Sequence, residues 1–104
     1  MGFVLMISTA PEREASQIGQ ALVTAGLAAC VNIIRGVSSI FRWQGKLCRE
    51  KEALLLIKTT SARSQKIINK IKEIHSYEVP EIIFFRVDGG EEKYLKWVND
   101  LLKK

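Results

Sequence analysis

The chain has 104 residues, 47% of them hydrophobic, and sixteen basic against eleven acidic side chains give it a net charge of +5. That length specifies one small domain, residues 1–104, with enough apolar material for a core but only modest stability as a lone unit. The positive excess is spread along the chain, and its densest cluster, Arg63–Lys72, reads as a solvated helix face rather than a nucleic-acid surface. The apolar run Phe3–Ile7 is too short for a membrane span or a signal peptide. Cys30 and Cys48 form no CxxC pair and read as free thiols of a reducing compartment, so the expected location is the cytoplasm, with no membrane partner.

In chain order, the continuous apolar run Phe3–Ile7 predicts a central strand buried on both faces. Thr9-Ala10-Pro11-Glu12 predicts a helix start, with Thr9 as cap, Glu12 reaching back and Pro11 in the first turn. Ile18, Ala21, Leu22 and Ala25 then recur at helical spacing, and Gly26 supplies a left-handed stop. Ala28–Trp43 is rich in β-branched and aromatic residues and predicts one long strand with a bulge or bend at Gly36. Gln44-Gly45 is a hairpin turn signal, and Leu47–Thr59 is the return strand. Along it Glu52, Leu54, Leu56 and Lys58 point one way, and Ala53, Leu55, Ile57 and Thr59 the other.

Thr60 or Ser61 is positioned to cap a second helix with a stripe of Ile67, Ile71 and Ile74. Pro80 lacks an N–H and holds Val79 extended, so that helix must end by about Ser76. Ile82–Val87 is a fourth strand, broken by Asp88-Gly89-Gly90. A last helix carries Tyr94, Trp97, Val98 and Leu101 on one stripe. The order βαββαβ plus a terminal helix, with right-handed crossovers, predicts an α+β ferredoxin-like sandwich with both longer helices on one face of the sheet.

The hairpin arm Ala28–Trp43 would span roughly 50 Å at about 3.3 Å per residue. A domain of this size is only roughly 35 Å across, so the tip should project. A bare ribbon bearing Ile40, Phe41, Trp43 and Leu47 predicts packing on another chain in a closed homo-oligomer, with Phe41 and Trp43 at the interface. The alternative is that Gly36 folds the hairpin back on its own sheet.

Functions that use this topology leave signatures that are missing. The third strand has no aromatic for base stacking, which argues against RNA binding. The loop after the first strand is Ser8-Thr9-Ala10-Pro11 rather than CxxC, and no glycine-rich phosphate loop or nucleophile–histidine pair is present. What remains is His75-Ser76-Tyr77-Glu78-Val79-Pro80-Glu81-Ile82, which holds the only histidine. His75 is either a helix C-terminal residue favoured by the dipole or a metal ligand. Glu52 and Lys58 either end a buried stripe or join Tyr77 and Glu78 in a polar cleft.

Six blocks in register, Thr9–Pro11, Leu27–Ile33, Trp43–Lys46, Leu56–Thr60, His75–Ile82 and Tyr94–Trp97, strongly resemble the CutA divalent-cation tolerance family. The resemblance implies a ferredoxin-like homotrimer of a design similar to PII-type signalling proteins. It implies high heat stability in many members, a link to tolerance of copper and other divalent metals, and no established enzymatic activity. The family motif His-Pro-Tyr has Ser76 in place of the proline. Ser8 and Ile74 stand where the resemblance implies copper ligands, which leaves His75 as the expected metal ligand and any copper or other divalent cation weakly bound. A second reading implied by the same design is a small-molecule sensor or protein scaffold. Its inter-subunit clefts, lined by Lys58, Tyr77, Glu78 and Glu52, would take an anionic or zwitterionic molecule or a protein partner.

Overall fold

The apolar run at the N-terminus does not stop at Ile7. In the computed structural model, which describes residues 2–103, strand β1 covers Phe3–Pro11. It lies between β3 (Lys46–Thr60) and β4 (Ile82–Val87), antiparallel to both. β3 pairs in turn with β2 (Cys30–Trp43), giving the sheet order β2-β3-β1-β4. The expected Thr9 cap therefore does not form. Ala10 and Pro11 continue the ladder opposite Ala53 and Glu52, Pro11 occupies the cap position, and no side chain caps the helix. Pairing along a buried strand outweighs the local capping preference.

Side chains alternate across the sheet as its two-residue period demands. Val4, Met6, Ser8 and Ala10 of β1, with Ala53, Leu55, Ile57 and Thr59 of β3, are buried on one face. Helices α1 (Glu12–Thr24) and α2 (Ser64–Ile74) cover that face, through Ala15, Ile18 and Leu22 of α1 and Ile67 and Ile71 of α2. Each fully buried Leu or Ile there is worth about 1.5–3 kcal/mol relative to exposure. Ala21, Ala25 and Ile74, expected on the buried stripes, lie outside the fully buried set. The turn at Gly26 (φ +73°) ends α1 as expected. A 3-10 turn, Ser61–Arg63, precedes α2 in place of a side-chain cap.

The opposite face is not buried on both sides as the run Phe3–Ile7 suggested. Helix α3 (Glu92–Leu102) covers only one end of it, where Val98 and Leu102 meet Ala29 and Phe3. Its N-terminus is capped by Glu91, whose carboxylate accepts the N–H groups of Lys93 and Tyr94. Tyr94, Trp97 and Leu101 of the expected α3 stripe stay exposed. Beyond the helix the face continues as rows of paired residues, Leu56–Ile7–Ile83 and Leu5–Phe85, with Ile83 and Phe85 about half exposed (46% and 52%).

The hairpin projects. The molecule measures 45 × 24 × 21 Å, and β2 and β3 remain paired out to Trp43 opposite Lys46. The tight turn uses Gln44 and Gly45, both at positive φ (51° and 79°), a backbone twist that suits a two-residue hairpin loop. Gly36 does not fold the ribbon back. It sits at φ +76° in a bulge, where the register shifts between Ile34 and Val37. The bulge is clamped to the start of α1: the Gly36 N–H donates to Glu12 Oε2 at 2.7 Å, and Arg35 reaches the Glu12 carbonyl and Ser16 Oγ.

Candidate functional site

Helix α2 ends at Ile74, short of the limit that Pro80 sets, and the chain from His75 to Glu81 turns back across the sheet end. His75 caps the helix in an extended conformation, with its N–H on the Ile71 carbonyl. Its ring is buried, 8% exposed. The Tyr77 N–H donates to Nδ1 at 3.0 Å, so Nδ1 accepts and Nε2 carries the proton that it donates to the Thr9 carbonyl at 2.8 Å. The imidazole is thus a bracket, fixing the turn to the end of β1. A second tie runs from the Ser76 N–H to Glu14.

This bracket sets Tyr77. Its ring lies 4.7 Å from that of His75, and its hydroxyl donates to Glu52 Oε2 at 2.8 Å. Glu52, opposite Pro11 in the ladder, is 3% exposed. Burial, the bond to Glu52 and then the charges of Glu52, Glu50 and Glu14 hold the phenol well above its ordinary pKa.

Between the turn and the hairpin lies a groove of about 400 Å³. The hairpin contributes Phe41, Trp43, Cys48 and Glu50, and the turn contributes Tyr77, Glu78 and Val79. Of the expected cleft residues, Tyr77 and Glu78 line it and Glu52 backs Tyr77. Lys58 does not join them. Six residues further along β3, roughly 20 Å away at the rise of a strand, its ammonium bonds Asn32 Oδ1 and approaches Cys30 Sγ at 4.0 Å. The cleft of a single chain is therefore acidic and aromatic; of the anionic or zwitterionic molecule or protein partner expected in a cleft between subunits, it complements the anionic one poorly. Glu50 and Cys48 escaped the sequence reading. Their shared parity with Glu52 on β3 was the available signal. Phe41 and Trp43, expected at an interface, are 38% and 41% exposed at the groove.

The donor set does not make a ready copper centre within one chain. No group of three His, Cys, Asp or Glu that could hold a metal occurs among the described residues. Both nitrogens of His75 are engaged, Ile74 offers no donor, and the Ser8 hydroxyl, 1% exposed, is a hard oxygen that suits copper poorly.

A four-stranded antiparallel sheet in this order, two helices on one face and a third at the end of the other, defines a ferredoxin-like α+β protein with an extended hairpin. A model of the CutA1 divalent ion tolerance protein family matches residues 3–101, and the chain belongs to that family. It is 42% identical over 97 residues to the divalent-cation tolerance protein CutA of Thermus thermophilus, covering 93% of this chain and 94% of that one. The crystal structure of CutA from Xylella fastidiosa superposes with a TM-score of 0.95 at 36% identity, covering 99% and 100% of the two chains. An Archaeoglobus fulgidus structure described as a periplasmic divalent cation tolerance protein gives 0.94 at 31% identity, covering 97% and 99%. No helix among the described residues is long and apolar enough to cross a membrane.

Proposed function

We propose that the chain acts as a non-enzymatic homotrimer in the tolerance of divalent metal ions, copper among them. The observation that carries this reading is the uncovered sheet face. Ile34, Ile83 and Phe85 on the sheet, with Trp97 and Leu101 on α3, are each between 46% and 52% exposed, and they adjoin the half-buried Leu5, Ile7, Leu54 and Leu56. Apolar surface of this extent on a small protein marks an association site, and the projecting hairpin supplies a second contact. Closed cyclic symmetry would bury both at once. The cytoplasm is the compartment we assign, because Cys30 and Cys48 are free thiols.

Divalent cations would engage the chain weakly at His75, since the imidazole must first surrender its bond to the Thr9 carbonyl. Copper titrated into the wild type and into His75→Ala tests this. The expected result is weak binding to the wild type, with nitrogen hyperfine structure in the copper spin-resonance spectrum, that the variant loses. Identical isotherms and spectra would refute His75 as the ligand.

A further inference from the structure

A cavity of about 410 Å³ opens at the end of the sheet away from the hairpin, where Phe3 begins β1 and Thr60 ends β3, with Asn99 and Lys103 at the end of α3 beside them. Its cations are Arg63 and Lys103, and no acidic side chain lines it among the described residues. Neither cation enters an ion pair formed among those residues. Asp100, whose charge reaches Lys103, is itself held by Lys96. Helix α2 starts beside Arg63 with no side-chain cap and no acidic residue in its first turn, so the positive end of its dipole is uncompensated.

A second feature, inside the wall, points the same way. Thr60 is 8% exposed. Its oxygen accepts one of the five N–H donors of Arg63 at 3.3 Å, and its own O–H donates to no acceptor among the described residues. Its neighbour Thr59, also buried, does spend its proton, on the Leu27 carbonyl. A buried hydroxyl ordinarily has a partner for that proton, so Thr60 holds a donor ready for an acceptor that enters the cavity.

These features select one kind of ligand. A metal cation would meet like charge, and an apolar molecule would leave the donors of Arg63 and Thr60 unused. The guanidinium fork matches two oxygens of a phosphate group. The half-buried Phe3 offers a short carbon chain an apolar contact, and the volume lies in the range of small organic ligands. The cavity is also clear of the uncovered sheet face. At roughly 100° per residue around a helix, Asn99 and Lys103 point opposite to the exposed Tyr94, Trp97 and Leu101. A copy that covers the apolar side of α3 leaves this side open.

We propose that this cavity binds a small soluble phosphate monoester, its phosphate held by Arg63, Lys103 and the Thr60 hydroxyl and its carbon chain against Phe3. The site lies within one chain and rests neither on trimer formation nor on metal binding at His75.

Calorimetric titration of the assembled protein with glycerol 3-phosphate tests the proposal, with glycerol as the uncharged counterpart. The expected result is saturable binding of the phosphate ester, one site per chain, that weakens as salt is raised, and no binding of glycerol. Arg63→Gln and Lys103→Gln should each weaken it about tenfold by removing a charge-assisted contact. Arg63→Lys, which keeps the charge but not the fork, should restore only part of the loss. Neither side chain belongs to a buried cluster, so the substitutions leave the core intact. Binding that survives both glutamine substitutions would overturn the proposal, and so would the absence of saturation in the millimolar range.

Discussion

Ser8 carries a buried hydroxyl with no hydrogen-bond partner among the described residues. Its neighbours across the ladder are Leu55 and Ile82. An unpaired buried hydroxyl costs about 1–3 kcal/mol, so Ser8→Ala should raise stability by about 1 kcal/mol in a urea titration, and a lowered midpoint would contradict the assignment. Tyr77 is the opposite case, a half-buried polar group whose partner, Glu52, is more deeply buried than itself. Tyr77→Phe strips Glu52 of its donor and should cost about 1–3 kcal/mol at neutral pH. The same substitution should alter the alkaline limb. The phenol ionises less readily folded than unfolded, so its contribution is complete below its ordinary value of 10.0 and is lost as pH climbs past it. Stability of the wild type should therefore fall above about pH 10, and that of Tyr77→Phe should fall less. At this scale the sequence showed that Glu52, Tyr77 and Glu78 were candidates, because strand parity and the proline turn are local signals. That His75 points inward to the Thr9 carbonyl was not legible, since it depends on where the turn lands after the sheet has formed.

Among the elements, strand β4 was readable to the residue, Ile82–Val87, because Pro80 and Asp88-Gly89-Gly90 bracket it. The end of β1 was not. Thr9-Ala10-Pro11-Glu12 carries every local mark of a helix start, yet the ladder to β3 runs through it. Glu12, expected to reach back along its own helix, reaches across to Gly36 instead. That contact makes a specific demand on the hairpin. Glu12→Ala should speed hydrogen exchange at the Gly36 amide and lower stability by about 1 kcal/mol, the net worth of a typical hydrogen bond. An unchanged exchange rate at Gly36 would show that the bulge holds itself. The placement of Lys58 outside the acidic groove is also an element-scale fact. Shared parity with Glu52 placed it on the correct face, but the length of β3 carries it to the other end.

For the whole molecule, the order of elements, the side on which α1 and α2 pack and the projecting hairpin all followed from periodicity, glycine positions and chain length. What a single chain does with its second sheet face did not. The run Phe3–Ile7 reads as buried on both sides, and in the isolated chain one of those sides is half open, with Leu5 and Ile7 facing outward beside Phe85 and Ile83. Both observations agree if another copy covers that face. The mass of the particle in solution is the direct measurement. Light scattering at micromolar concentration should give three times the 11.7 kDa of one chain, and Phe85→Glu, at a side chain 52% exposed within the chain, should reduce the particle to a folded single chain. A wild-type particle with the mass of one chain would contradict the account.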